Sequence, residues 1–453
     1  MNRKIVVLLK IYKGDLNPFD ECALECALSL KNADVTVLAM APLIYKDSLE
    51  QITRLGVDAI LISDPHLAGS DTIVTSNVLS KALIKINPDL VFAGRQSVDG
   101  DTGQVPLMLS EILGYQLLNK AMDFKEEEIV LRNGDTKTLE NKQIITFEKF
   151  KLLRAPSIFS KKKDVIVWNI NDLDLAKENI GLEGSPTSVI RSYQSDEDRR
   201  FCSYVDYANL DNIIQQSLND NKGKNEQHIN KAPLIYYVGN ISNIAHQYGE
   251  KAEPIEVDNL SIDEICQKIN EISPKIILWE ENEKYKTMAS RVAVKLNVGL
   301  CADCTNFDYQ NGRFVITRPA LGGDVFADII CRSPISMATV RNLSEKTQDV
   351  AITIGRGAIQ HLDKIKKLAE KYNAKIYCSR PIADQGLIDY SYQVGLTGTI
   401  INPKVCITIC TSGAIQHVVG INKSQTIIAI NINKKEKIFD YADYGIVMDA
   451  VNI

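Results

Sequence analysis

Short apolar runs rich in β-branched residues recur at 4–9, 34–40, 59–62 and 90–93, and each is followed by a stretch with helical spacing. Strands alternating with helices predict a parallel sheet with helices on both faces. After the first run, Asn17 suits an N-cap, Pro18 the first helical position, and Asp20 and Glu21 the positive end of a helix dipole. They predict a helix over 18–30 with Ala23, Leu24, Ala27 and Leu28 facing the sheet. The pattern stops at 215–231, whose Asn, Gln and Lys cannot bury enough surface to offset ordering, so His228 there is expected to be solvated. It resumes with strand-like runs at 234–238, 276–278 and 314–317, helical spacing near 261–272 and 286–296, and further strands at 350–354, 374–378 and 406–410. The expected organisation is an α/β domain over 1–200, a linker over 201–231, a second α/β domain over 232–347 and a Rossmann-like domain over 348–453.

The last of these strands runs into Thr411-Ser412-Gly413-Ala414-Ile415-Gln416-His417. Small residues opening a helix leave backbone N–H groups free to face an anion, which the helix dipole also favours. Around this phosphate seat stand Gly355-Arg356-Gly357, Ser379-Arg380, Gln393-Val394-Gly395-Leu396-Thr397-Gly398, Ala429-Ile430-Asn431 and Ala442-Asp443-Tyr444-Gly445. Two earlier loops, 63–76 and 94–104, follow strands in the same way. Gly100, Thr102 and Gly103 can bring N–H groups to a phosphate, although turns and caps select the same residue types.

Composition adds limits. The chain of 453 residues is 45% hydrophobic and 24% charged, ordinary usage for about three domains. A net charge of −5 argues against nucleic acid as a partner. No window approaches the roughly 18 uncharged apolar residues of a membrane span, and the five apolar residues after Lys4 are too few for a signal-peptide core. A cytoplasmic location is expected. Of ten cysteines, the pairs Cys22/Cys26 and Cys406/Cys410 read as core packing. Cys301-x-x-Cys304 has metal-like spacing but no second Cys/His pair beside it, so no metal is expected.

The C-terminal motifs, taken in order, resemble the FAD-binding domain of the electron transfer flavoprotein α subunit, whose pattern reads GRG, SR, QVGQTG, SGAIQH, AIN and ADYG. The front resembles the β subunit of that family in Asn17-Pro18-Phe19-Asp20-Glu21, in 94–105 (GRQSVDGDTGQV) and in 181–187 (GLEGSPT). A β subunit fused ahead of a shortened α subunit is implied, with wound parallel-sheet nucleotide-binding domains and a C-terminal DHS-like FAD-binding domain. By resemblance, Ser412, Gly413 and Ala414 seat the pyrophosphate and Gly355, Arg356 and Gly357 form a neighbouring phosphate loop. His417 donates to the flavin O2 side, Arg380 lies over the ring unless it pairs with Asp384, and Thr397 donates to N5. Asn431 and Asp443 hold ribose and adenine, while Ser379, Gln393, Val394, Gly395, Gly398 and Gln416 complete the site. The TRPA segment at 317–320 belongs to a part of the α subunit that holds no metal.

In the β-like part, a second nucleotide site is implied at Asn17, Asp71, Thr72, Thr75, Asp101, Thr102, Gly103, Gln104 and Val105, taking AMP or a second FAD. Residues 68–76 look like the electron-bifurcating branch and favour FAD. The resemblance implies an acyl-CoA or other flavin dehydrogenase as one partner, a second redox protein or quinone reductase as the other, and NADH in the bifurcating branch. The sequence departs from the family in four places. Position 396 is Leu rather than Gln, and only 11–16 separates the first strand from Asn17. The recognition loop is cut to Leu153-Arg154-Ala155-Pro156-Ser157-Ile158-Phe159-Ser160 before Lys161, Lys162 and Lys163, and about one βα unit is missing from 232–347. Three functions stay open: a plain FAD/AMP carrier, a bifurcating component with two FAD, and a nucleotide-binding protein without redox partners.

Overall fold

A computed structural model describes residues 2–193, 199–220, 229–320, 325–340, 348–383, 385–395 and 398–453. His228, Asp384, Leu396 and Thr397 lie outside this set. The described residues fall into two compact units, one drawn from 1–191, 231–321 and 328–340, the other from 192–230, 322–327 and 341–453.

The first unit holds a nine-stranded sheet centred on Arg3–Leu9, which pairs in parallel with Ala33–Met40 on one side and Leu90–Gly94 on the other. Asp58–Ile62 and Gln143–Phe147 extend it outward, also in parallel. Alternate residues of the central strand enter different cores. Ile5, Val7 and Leu9 join Ala23, Leu24 and Ala27 of the helix Pro18–Ser29. Val6 and Leu8 join Val74, Val78 and Ala82 of the helix Thr72–Ile86. Burial on both faces is why this strand reads as an unbroken apolar run. Strand order reverses between Arg3–Leu9 and Leu90–Gly94, which opens a crevice at their carboxyl ends.

A second parallel sheet in the same unit runs in the order Gly249–Pro254, Ala232–Val238, Ile276–Glu280, Ser336–Val340 and Gly299–Cys304. The expected boundary between 1–200 and 232–347 does not divide two cores. Ile73 and Met108 share one buried cluster with Trp279, Val292, Ala293 and Leu300. At its edge Glu111 meets Arg291 at 2.7 Å and Lys295 at 3.1 Å.

The second unit is a six-stranded parallel sheet in the order Ser203–Tyr204, Tyr444–Val447, Thr426–Asn431, Val405–Ile409, Val350–Ile354 and Lys375–Cys378. From Val350 onward this is the order second, first, third, fourth, fifth, with its switch point between Val350–Ile354 and Val405–Ile409. The linker expectation gives way over 203–219. Ser203–Tyr204 adds a strand beside Tyr444–Val447, and the helix Leu210–Asn219 buries Leu210, Ile213 and Ile214 against Ile352 and Ile354. Among the described residues no helix is long and apolar enough to cross a membrane.

Candidate functional site

At the switch point of the second unit the loops are held closer than side chains would permit. A Cβ on Gly355 would stand 2.0 Å from the Cys410 carbonyl oxygen, and one on Gly413 would stand 2.1 Å from the Ile438 nitrogen. Gly413 also has φ of +80°, and Cys410 takes the left-handed conformation at +55° to turn the chain out of its strand. Among the described residues, the N–H groups of Ser412, Gly413 and Ala414 have no acceptor. Ser412, Ala414 and Gln416 are exposed. Such a row of free donors before a helix is chemistry for an anion, which suits a pyrophosphate.

The other loops converge on the same edge. Ser379 N donates to Ile354 O at 2.9 Å and Val394 N to Cys378 O at 2.8 Å. Gly395, at φ +140°, lies against the backbone of Gln416, where a Cβ would meet the carbonyl oxygen at 2.4 Å. Gly398 is packed as tightly on Gln393 O. Arg356 and Gly357 are exposed beside Cys410, while Arg380 opens the short helix Arg380–Ala383 and is partly buried. His417 is 7% exposed, with Nε2 3.3 Å from Thr353 Oγ1. Its Nδ1 is buried without a hydrogen bond of good geometry. Burial pushes the imidazole down to about 4, against a hydrogen bond with the Val394 backbone. It is therefore neutral at pH 7 and offers one N–H, which fits a donor to an electron-rich flavin edge rather than a fixed cation.

Two positions expected at the adenosine end behave differently. Asn431 stands at the correct edge, but its Nδ2 donates to Thr411 O at 2.9 Å and its Oδ1 accepts from Asn433 N at 2.9 Å, so it shapes the phosphate loop. Asp443 precedes Tyr444–Val447 and so lies at the amino-terminal edge, away from the phosphate loops. There it pairs with Arg200 at 2.5 Å and accepts from Ile427 N at 2.7 Å. Asp449 instead follows this strand, at the same edge as the phosphate loops; it caps Val451 N at 2.9 Å and, after burial, is the second cause that raises the Cys410 thiol. Counting from the end of the strand rather than its start would have found it.

In the first unit the crevice deepens into a cavity of about 1000 Å³. Asn17, Asp71, Thr72, Thr75, Thr102, Gly103, Gln104 and Val105 line it. Asp101 does not. It sits at φ +51° and accepts from Gln96 Nε2 at 3.1 Å, setting the turn that carries Thr102. Asp71 commits one oxygen to Ile73 N and Val74 N at 3.0 Å and the other to Thr187 N and Oγ1 at 3.0 and 2.8 Å. Thr72 Oγ1 donates to Gln104 Oε1 at 2.8 Å, and Gln104 Nε2 reaches Leu300 O at 3.4 Å.

Asn17 does not cap its helix with its side chain. Instead Nδ2 donates to Gln96 O at 2.9 Å, leaving Oδ1 buried without a partner. Asp20, expected to serve the helix dipole, is 5% exposed in the cavity floor. Burial pushes its carboxyl up to about 7, against hydrogen bonds from Lys10 N at 2.7 Å and Gly94 N at 2.9 Å.

Residues 300–302 and Arg318, distant in the chain from the loops at 63–76 and 94–104, close this cavity. Arg318 is 6% exposed, and its Nε has no hydrogen-bond partner. Among the described residues it forms no ion pair. A buried guanidinium without a carboxylate beside a cavity suits an anionic or electron-rich ligand. Cys304 Sγ donates to Cys301 O at 3.4 Å, and among the described residues no three His, Cys, Asp or Glu side chains group as metal ligands.

The family described as "Electron transfer flavoprotein domain" matches residues 5–166 and 261–363, more than half of the chain. "Electron transfer flavoprotein FAD-binding domain" matches 344–422, the segment that carries the glycine-held loops. An electron transfer flavoprotein subunit beta from Clostridium acetobutylicum is 36% identical over 199 residues, 39% of this chain and 74% of that protein. Protein FixB of Clostridium saccharobutylicum is 33% identical over 235 residues, 42% of this chain and 70% of its own. An electron transfer flavoprotein subunit alpha from Thermoanaerobacterium thermosaccharolyticum is 33% identical over 238 residues, 42% and 71% respectively. With an FAD-binding domain behind a wound α/β unit, the chain belongs to the electron transfer flavoprotein family.

Proposed function

We propose that this chain joins β-like and α-like parts in one polypeptide and carries electrons through two FAD groups, one at the C-terminal loops and one in the cavity of the first unit. Bound at these places, FAD supplies a ring that accepts and releases electrons, and the protein's own residues hold and tune it. Ser412, Gly413 and Ala414 offer backbone donors to the pyrophosphate, with His417, Arg380 and Thr397 assigned to the ring by resemblance and Asp449 offered for the ribose.

The observation that carries the second FAD is the size and lining of the cavity. About 1000 Å³ is the upper end of the range for small-molecule sites, which supports a dinucleotide over AMP. The shortened segment after the first strand folds as a tight hairpin, Ile11–Tyr12 on Asp15–Leu16. Met40, Ala41, Pro42 and Leu43 supply apolar wall. With two flavins, NADH-dependent bifurcation follows as the finer reading, and AMP in the cavity with a plain carrier is the alternative.

A dehydrogenase and a second redox protein or quinone reductase are the partners. The shortened recognition segment supports a contact of this kind, since Ile158 and Phe159 are 84% and 86% exposed beside the lysine run. Titrating nucleotide-free protein with FAD tests the reading. Saturation at two FAD per chain is expected, and saturation at one, with AMP filling the remainder, would remove the second flavin.

A further inference from the structure

Gly299 and Cys301 stand two residues apart in the strand Gly299–Cys304, so they face the same side of the sheet. The position a Cβ on Gly299 would take is crowded by Cys331 Sγ at 2.8 Å and Thr187 Cγ2 at 2.9 Å. Cys331 Sγ also lies 3.6 Å from Gly299 O. Cys301 and Cys331 thus face one small space, near enough for each thiol to shift the other's ionisation. Cys301 and Thr187 line the cavity, and Asp71 anchors Thr187. Cys301 is 3% exposed, whereas Cys331 is only partly buried. The pair Cys22 and Cys26 is also in contact, but both are fully buried in a helix and neither lines the cavity.

We propose that Cys331 and Cys301 form an oxidisable thiol pair beside the cavity, in whose wall Cys301 stands, with Cys331 attacking and Cys301 resolving. The Cys331 thiolate attacks one sulfur of a low-molecular-weight disulfide, whose other half leaves as a thiolate, and a mixed disulfide forms. Cys301 then gives up its proton to the departed thiolate, displaces the second small thiol and closes the Cys301–Cys331 bond. The protein loses two electrons and two protons, and the reagent becomes two thiols. The division of roles follows the electrostatics. Contact with Cys301 holds the Cys331 thiol below its ordinary value, and the same contact with burial pushes Cys301 up. Closing the bond ties Cys331 to the strand that carries Leu300 and Ala302, so the redox state alters the cavity wall.

Treating the native full chain with oxidised glutathione, alkylating free thiols and mapping the peptides by mass tests this. A linked Cys301–Cys331 peptide, lost on adding dithiothreitol, is expected, with two fewer free thiols per chain. Cys301→Ser should stop at a glutathione adduct on Cys331, and Cys331→Ser should leave Cys301 unmodified, both with unchanged thermal melts. In the wild-type chain, a glutathione adduct retained on Cys331, or both cysteines recovered as free thiols, would overturn the proposal. Because the mapping needs no bound nucleotide, its result is separate from the assignment of the cavity to FAD.

Discussion

Arg200 and Asp443 form an ion pair at 2.5 Å on the amino-terminal edge of the C-terminal sheet. The same guanidinium donates to the carbonyl oxygens of Ser424 at 2.7 Å, Asn422 at 2.8 Å and Gln425 at 3.3 Å. Asp443 is thus the anchor of a clamp. Asp443→Asn should cost the C-terminal unit about 2 kcal/mol, the scale of a charge-assisted bond discounted for partial exposure. FAD affinity of the folded protein should stay unchanged, whereas Asp449→Ala should weaken it. Thermal melts and a fluorescence titration with FAD separate the two, and weaker binding without lost stability in Asp443→Asn would return this acid to the cofactor site.

His417→Ala should shift the potential or semiquinone yield of the C-terminal flavin more than it shifts folding. Removing one preorganised donor costs about 3 kcal/mol in comparable oxyanion sites, an upper guide here. Burial pushes the imidazole down to about 4, so its folded value lies below the unfolded one. The penalty for burying it neutral is felt below about 6.5, and its contribution to stability rises with pH between about 4 and 6.5. A redox titration that does not move on substitution would show that His417 serves the fold alone.

The strand at 4–9 and the helix at 18–30 were legible because both faces of the sheet and one stripe of the helix had to be apolar. The structure departs from the linker expectation over 203–219 for a local reason. Leu210, Ile213 and Ile214 keep helical spacing, but polar residues between them lowered the average hydrophobicity. The phosphate loops could be read because glycine is required wherever backbones pass within a Cβ radius, as at Gly355 and Gly413. Arg318 could not, since nothing local tells an arginine in a strand that a chain segment two hundred residues earlier will leave a cavity beside it. The place of Asp443 could not be read either, because a motif records order along the chain and not the end of the sheet.

Asp20 gives a pH test of the first unit. Its folded value of about 7 lies above the ordinary carboxylate value, so the folded state holds a proton that the unfolded state releases. Its contribution to stability is complete below about pH 4 and is lost as pH rises through 7. Asp20→Asn should flatten that slope between pH 4 and 7 in urea denaturation, at the cost of one acceptor for Lys10 N or Gly94 N. An unchanged slope would mean that other groups set it.

Arg318→Gln should weaken nucleotide binding in the cavity by about tenfold to a hundredfold, the scale of a charged hydrogen bond, while the C-terminal FAD stays bound. Isothermal titration of nucleotide-depleted protein reads this directly. Equal loss at both sites would indicate general unfolding, and no loss at either would take Arg318 out of the cavity chemistry.

The most direct test is the visible spectrum of the purified chain together with the nucleotide it releases on denaturation. The account predicts a yellow protein that yields two FAD and no AMP per chain. One FAD with one AMP would contradict the second flavin site. A colourless chain that takes up no added FAD would contradict the assignment of the C-terminal loops and, with it, electron transfer as this protein's function.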